Sequence, residues 1–331
     1  MSSQQQELSE RTPQWTEWGI SVLNGMIGDY LHHRRNGLAI EMAFYHRNRP
    51  LMLTRESLLQ AYPNPTGKLC ILVHGLGCNE GVWDFPVTVP GDPARSYGTL
   101  LQQELGYTPF YLRYNTGLPV AENGNALADL LDDLLKCYPL DVQDIVLIGH
   151  SMGGLVLRSA CHYGIRRGSS WVNKVKRVFY LGMPHEGAVL EKVGNMVVTV
   201  LQMVPNPITR LIGNILDRRS QGVKDLRSGN WLAEDGLDND LEIGRRENAP
   251  WLAHARHYLL MGTLTADPEH ALTLLLGDAL VRLPRAYRQS PPGDGDSAPN
   301  PHIKIFPKVD HMSLAHDAKI YKQIKWWCSN E

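Results

Sequence analysis

The sequence predicts an α/β fold, with a mostly parallel central sheet flanked by helices. Three observations support this prediction. Short apolar runs of strand length alternate with helix-like segments, and repeated β-then-α order indicates a parallel sheet. One helix-like segment carries leucines at positions 127, 130, 131, 134 and 135, which is helical spacing. The 331 residues contain no Ser/Gly linker or block of charge, so we expect one large core domain.

The elements follow in chain order. Residues 1–50 are predicted to be a helical arm that packs on the core domain of residues 51–331, because apolar residues recur at helical spacing from Trp15 to Tyr30. The predicted strands cover residues 69–74, 109–114, 145–149, 177–182, 256–262 and 301–307. The main predicted helices cover residues 126–138, 152–167 and 317–327.

The alternation stops between residues 188 and 254, after the predicted strand 177–182, and this segment is predicted to be a helical cap or lid insertion. Pro207 precedes a short apolar helix face formed by Ile208, Leu211, Ile212 and Ile215. That face is suited either to packing on the sheet or to forming an apolar wall for an acyl chain, and the sequence leaves both alternatives open.

The most informative motif is G-x-S-x-G at residues 149–153, which lies between the predicted strand 145–149 and a helix. A sharp strand-to-helix turn leaves no room for side chains at the flanking positions, where Gly149 and Gly153 stand. Such a nucleophile elbow exposes the serine hydroxyl beside the N–H groups of a helix N-terminus. Ser151 is therefore the candidate nucleophile for acyl transfer.

An acyl-transfer site also needs two N–H donors for the oxyanion that forms at the carbonyl. Met152 directly follows the nucleophile, and Leu76 directly follows the His74-Gly75 turn at the end of the first predicted strand. The backbone N–H groups of Leu76 and Met152 are the predicted oxyanion-hole donors. The ring of His74 is expected to hold its own loop by a hydrogen bond.

Hydrolases with this elbow place the nucleophile, the acid and the histidine in that chain order. The loop after the predicted last strand contains His311, which is the candidate general base. His316 is its main competitor, with a helix-capping role as the alternative. The acid should follow the preceding strand and fix the tautomer of the base. Asp278 is the candidate, while Asp267, Asp294 and Asp296 remain alternatives.

Composition narrows the function classes. The net charge of −1 gives no electrostatic footprint for nucleic acid. The five cysteines show no metal-ligand spacing, and buried reduced thiols at Cys70 and Cys161 suit a reducing compartment. The polar N-terminus lacks the pattern of a secretory signal, and no apolar run reaches the roughly 20 residues that span a bilayer. We therefore expect a cytoplasmic protein, with transient membrane-surface contact through the cap as an open possibility.

These motifs together resemble the α/β-hydrolase superfamily, and more narrowly its serine esterase and lipase branch, similar to bacterial GPI inositol-deacylase-like hydrolases. The resemblance rests on the elbow and on residues 73–77, 113–117, 181–187 and 310–311, with a further likeness in the arm at residues 24–29. It implies an α/β-hydrolase fold, Ser151, Asp278 and His311 as triad, and Leu76 and Met152 as oxyanion donors. Ala279 departs from the glycine expected beside the acid.

The predicted activity is hydrolysis of a small-molecule ester or lipid through an acyl-enzyme on Ser151, with no metal or organic cofactor required. Acyl transfer or thioester hydrolysis by the same triad is one alternative. A binding module with this fold and no catalysis is another. The sequence does not distinguish the acyl length or the alcohol.

Overall fold

A computed structural model describes residues 14–87, 95–183, 251–263, 265 and 301–330. The described strands form one sheet in the order β2-β1-β4-β3-β5-β6-β7-β8. Their bounds are Ala43–His46 (β1), Arg49–Pro50 (β2), Lys68–Val73 (β3), Thr108–Arg113 (β4), Asp144–His150 (β5), Val175–Leu181 (β6), Arg256–Thr263 (β7) and His302–Pro307 (β8). Neighbouring strands in the run β4-β3-β5-β6-β7-β8 are all parallel. Strand β1 pairs antiparallel with both β2 and β4. This arrangement confirms the predicted mostly parallel sheet.

The central strands are buried on both faces, which explains their continuous apolar runs. Strands β3, β5 and β7 bury every residue after their first one or two. At the edge of the sheet, β8 is mainly exposed. The six predicted strands all occur, with ends that differ by one or two residues.

Six α-helices lie in the described part of the chain: Gln14–His33 (α1), Arg55–Ala61 (α2), Tyr97–Leu105 (α3), Val120–Cys137 (α4), Met152–Arg167 (α5) and Ala318–Asn330 (α6). Helix α4 begins six residues before its predicted start. Asn123 and Gly124 are poor helix formers, so the sequence predicts a later start, but both residues lie buried within the helix. Its predicted leucine stripe is correct, since Leu127, Leu131 and Leu134 are fully buried.

The arm assigned to residues 1–50 is helical in α1, in agreement with the helical spacing from Trp15 to Tyr30, but the prediction is wrong for residues 43–50. Helix α1 ends at His33, and residues 43–50 form the antiparallel strands β1 and β2. Arg47 and Asn48 make the tight turn between these strands at positive φ. Hydrogen bonding to β4 stabilises β1, and such pairing with a distant strand leaves little trace in a four-residue sequence.

Helix α1 also departs from the predicted stripe. Val22 and Met26 are buried as expected, but Tyr30 is exposed. The helix is kinked at Ile27, whose φ is −140°, and the turn after the kink buries Ile27 and Leu31 instead. The kink rotates the buried face, so one continuous helical stripe does not describe it.

The predicted cap, residues 188–254, lies outside the described residues except for residues 251–254. Cys70 and Cys161 are buried free thiols, as expected from their places in core elements. No helix among the residues that the structure describes has the length and hydropathy needed to cross a membrane.

Candidate active site

Ser151 lies at the turn from β5 into α5 in a backbone conformation that favours glycine, with φ 54° and ψ −123°. The two motif glycines make this turn possible. A Cβ on Gly153 would lie 2.5 Å from the His74 carbonyl oxygen and would overlap that of Val73, and a Cβ on Gly149 would lie 2.7 Å from the Gly154 nitrogen. The steric explanation predicted for both glycines is therefore confirmed.

The elbow is tied to the neighbouring strand by its backbone. The Ser151 N–H donates a hydrogen bond of 2.8 Å to the Leu181 carbonyl at the end of β6. Ser151 is only 2% exposed. The elbow therefore holds the serine rigidly at the carboxyl ends of the central strands, where open α/β sheets carry their sites.

The turn after β3 lies directly against Ser151. A Cβ on Gly75 would be 3.0 Å from the Ser151 Cβ, so a larger residue there would force the two segments apart by a few tenths of an ångström. The next residue, Leu76, is buried, as is Met152 on the other side of the elbow. Within the described residues, neither the Leu76 N–H nor the Met152 N–H donates a hydrogen bond. The backbone N–H groups of Leu76 and Met152 are therefore the candidate donors next to Ser151.

His74 holds this turn, as predicted. Its Nδ1 lies 3.0 Å from the Gly75 carbonyl oxygen, and its ring stacks on Tyr114 with centroids 4.6 Å apart. The Tyr114 hydroxyl donates to the His74 carbonyl at 2.8 Å. Burial lowers the pKa of His74 to about 3, so the ring is neutral at physiological pH. A neutral, fully buried ring suits a structural role.

His311 lies in the loop after β8 and is 3% exposed. Its ring packs against Gly182, which follows β6 at φ +60°. A Cβ on Gly182 would be 2.9 Å from His311 Cε1 and 3.0 Å from Nδ1. Leu181, which accepts the hydrogen bond from Ser151, immediately precedes this glycine. The structure thus brings His311 to the same end of the sheet as Ser151.

His150, which sequence reasoning did not single out, links the elbow to the His311 loop. Its Nε2 lies 2.9 Å from the His311 carbonyl oxygen, and the two rings have centroids 4.9 Å apart. Burial, then the charge of His311, lowers the pKa of His150 to about 3. Since a carbonyl only accepts, Nε2 is the donor. Its place within the G-x-S-x-G motif is the signal that could have identified it.

Asp310 shapes the turn that carries His311. Its carboxylate accepts hydrogen bonds from the Met312 N–H at 3.0 Å, the Ser313 N–H at 3.0 Å and the Ser313 hydroxyl at 2.6 Å. Burial raises the pKa of Asp310, but the hydrogen bonds from Ser313 and the backbone outweigh it and leave the pKa below its usual value. The Asp-x-x-Ser spacing is a recognisable turn signal that the sequence reasoning missed.

His316, the competing base, lies in a different environment. Its Nδ1 is 3.0 Å from the carbonyl oxygen of Val82 in the 3₁₀ helix Glu80–Trp83. Asp317, rather than His316, accepts hydrogen bonds from the first N–H groups of α6. The ring of His316 therefore joins two loops.

The candidate acid Asp278 lies outside the described residues, as do its alternatives Asp267, Asp294 and Asp296. Its role stays a prediction. The structure places the other four candidates, Leu76, Ser151, Met152 and His311, at the same end of the sheet. Among the residues that the structure describes, no group of His, Cys, Asp and Glu side chains could hold a metal ion.

A family model described as the alpha/beta hydrolase family matches residues 70–322, well over half of the chain. A lipase-esterase related protein from Clostridium acetobutylicum is 14% identical, with 86% of this chain and 98% of that chain covered and a TM-score of 0.41. A carboxylesterase from Bacillus subtilis is 12% identical, with 95% of this chain and 99% of that chain covered and a TM-score of 0.43. An alpha/beta hydrolase fold protein from Chitinophaga pinensis is 10% identical, with 81% of this chain and 91% of that chain covered and a TM-score of 0.46. A search of curated proteins gives no match.

Proposed function

Because the chain belongs to the alpha/beta hydrolase family, we propose that it is a serine hydrolase that cleaves carboxylic esters through an acyl-enzyme on Ser151. One observation carries this proposal. The Gly75 turn lies against the Ser151 Cβ, and the residues that follow Gly75 and Ser151, which are Leu76 and Met152, are both buried. Two rigid donors next to a nucleophile on an elbow are what acyl transfer requires.

In this mechanism His311 removes the hydroxyl proton of Ser151 while Oγ attacks the ester carbonyl carbon. The carbonyl oxygen becomes an oxyanion that the Leu76 and Met152 N–H groups stabilise. The bond to the alkoxy group then breaks, and His311 gives its proton to the departing alcohol. Water attacks the acyl-enzyme with the same proton transfers, which releases the acid and restores Ser151.

The test is hydrolysis of p-nitrophenyl esters from acetate to palmitate by the wild type, Ser151→Ala and His311→Ala. Removing a triad member should lower kcat/KM by at least about 10³-fold. His316→Ala is the matched control, since its hydrogen bond to Val82 is not part of the proposed chemistry, and it should lose less than about 10-fold. Circular dichroism verifies that each variant is folded.

Three outcomes distinguish this proposal from the alternatives. A loss of activity in His316→Ala equal to that in His311→Ala would contradict the assignment of the base. A wild type that hydrolyses thioesters far faster than oxygen esters would favour a thioesterase. A folded wild type with no turnover, and no labelling of Ser151 by a fluorophosphonate, would refute the enzyme proposal and leave a binding module.

Asp278→Asn, compared with Asp267→Asn, tests the predicted acid. Replacing a triad aspartate by asparagine should lower kcat by about 10⁴-fold, because the base then adopts the wrong tautomer. The same loss in Asp267→Asn instead would transfer the role to Asp267.

A further inference from the structure

We propose that helix α1 is a positioning element for the oxyanion hole, and that Gly25 and Thr116 hold the backbone next to Leu76 in its active geometry. This inference rests on the proposed ester hydrolysis. It assigns a catalytic consequence to a helix that lies about 50 residues before the turn after β3.

The first contact joins two backbones. Gly25 lies within α1, and Gly77 follows Leu76 in the turn after β3. A Cβ on Gly25 would be 3.0 Å from the Gly77 Cα and 3.1 Å from its nitrogen. Both are backbone atoms, so they cannot yield as a flexible side chain would. The glycine allows α1 to press directly on the peptide that follows the residue with the predicted oxyanion donor, Leu76.

Thr116 completes this contact from the loop after β4. Its hydroxyl oxygen accepts a hydrogen bond of 3.0 Å from the Gly77 N–H, and the side chain is 1% exposed. The same oxygen would lie 3.3 Å from a Cβ on Gly25. Gly77 has a positive φ of 67°, and because a glycine backbone is permissive, a hydrogen-bond partner outside the turn limits the conformations open to it. Thr116 is that partner, and α1 closes over both.

Two further contacts fix α1 to the loop that carries Thr116. The Asn115 side-chain amide donates to the Gly28 carbonyl at 2.9 Å, and its oxygen accepts from the Gly117 N–H at 3.0 Å. A Cβ on Gly117 would overlap the Asn24 carbonyl oxygen of α1. Helix and loop therefore meet at backbone contact distance, which leaves little freedom for relative movement.

An ion-pair cluster ties the N-terminal half of α1 to the chain beyond the oxyanion turn. Arg113, the last residue of β4, pairs with Glu17 of α1 and with Glu80 of the 3₁₀ helix that follows the turn. Its Nε donates to Glu80 at 2.7 Å, and both Arg113 and Glu80 are buried. The turn at residues 74–79 is thus held at Gly77 by Thr116, and just beyond its end at Glu80 by Arg113. Helix α1 contacts Thr116 at Gly25 and pairs with Arg113 through Glu17.

Oxyanion stabilisation depends on donors that are in place before the reaction, and it acts on the transition state more than on the bound substrate. A Cβ on Gly25 must shift Gly77 by a few tenths of an ångström. We expect that displacement to reach the Leu76 N–H, lower kcat and leave KM nearly unchanged. A purely structural role for α1 would lower the amount of folded protein without this separation of kcat from KM.

The experiment compares Gly25→Ala and Thr116→Val with the control Gly37→Ala, using the full chain and p-nitrophenyl butyrate. A Cβ on Gly37 meets no atom within 4 Å. We expect kcat to fall about 10- to 100-fold in Gly25→Ala and Thr116→Val, below the about 10²- to 10³-fold known for complete loss of a donor. KM should change less than about twofold, and Thr116→Ser should recover most of the activity because it keeps the acceptor. Gly37→Ala should match the wild type.

Binding of a trifluoromethyl ketone, which mimics the tetrahedral oxyanion, gives the second readout. Its affinity should fall in parallel with kcat in Gly25→Ala. Folded Gly25→Ala with wild-type kcat and inhibitor affinity would overturn the positioning role, and so would a loss carried by KM alone. A wild type without turnover and without fluorophosphonate labelling of Ser151 would instead overturn the proposed function, and this inference with it.

Discussion

Replacing Ser151 by glycine should give a more stable protein than replacing it by alanine. The backbone at residue 151 has φ 54° and ψ −123°, outside the regions that residues with a Cβ prefer. Holding a non-glycine residue in such a region costs about 1–3 kcal/mol. Glycine loses about 0.5–1 kcal/mol more than alanine in conformational entropy on folding. The midpoints of these two ranges leave Ser151→Gly more stable than Ser151→Ala by about 1 kcal/mol.

Urea unfolding of the two variants measures this difference, provided that the slope of the free energy against urea stays constant. Both variants lack the hydroxyl, so both should be inactive. Gly168→Ala is a control for the cost of positive φ, since Gly168 has φ +67° and open space around its Cβ position. It should lose about 1 kcal/mol.

The reasoning would be refuted if Ser151→Ala were as stable as Ser151→Gly while Gly168→Ala lost stability as expected. The elbow would then accommodate a Cβ without strain. Confirmation would mean that the fold stores strain at the nucleophile, at a cost that the surrounding packing sustains.

Three further predictions concern the ion-pair cluster, the buried histidines and the glycine against which the His311 ring packs. Arg113→Met should lose about 3–5 kcal/mol in urea unfolding, because it leaves Glu80 buried and unpaired, and Arg113→Met with Glu80→Gln should lose clearly less; equal losses would contradict the pairing argument. Three buried histidines have folded-state pKa values of about 3 to 4, below the unfolded value near 6.5: His74, His150 and His257. Above about pH 6.5 these rings are neutral in both the folded and the unfolded protein. As pH falls from there towards 4, the unfolded rings take up protons that the folded rings do not, so the free energy of unfolding falls by up to about 1.4 kcal/mol per pH unit for each histidine. The free energy of unfolding in urea should therefore depend less steeply on pH in His257→Gln. Gly182→Ala should lower kcat about 10- to 100-fold on p-nitrophenyl butyrate, because its Cβ would meet the His311 ring at 2.9 Å, and a wild-type kcat would contradict this.

Elements with strong local patterns agree with the prediction from sequence. Strands β3, β5 and β7 are buried on both faces, so their sequences are continuous apolar runs that need no knowledge of the neighbours. The short strands β1 and β2 were missed because pairing with β4 stabilises β1, and pairing with β1 stabilises β2. Helix α3 was also missed, although Ser96 and Thr99 form a capping box at its start. A nine-residue helix with a mixed face gives only a weak periodic signal.

The sequence by itself determined the nucleophile elbow, because the demands of that turn are local. Only glycine fits at positions 149 and 153, and the strand before Ser151 and the helix after it are both recognisable from adjacent residues. The family follows from the same motifs. The tertiary structure alone decided which groups surround the site. Nothing in the sequence indicates what Gly25 contacts, and it acquires its place beside Gly77 only when the chain brings α1, β3 and β4 together.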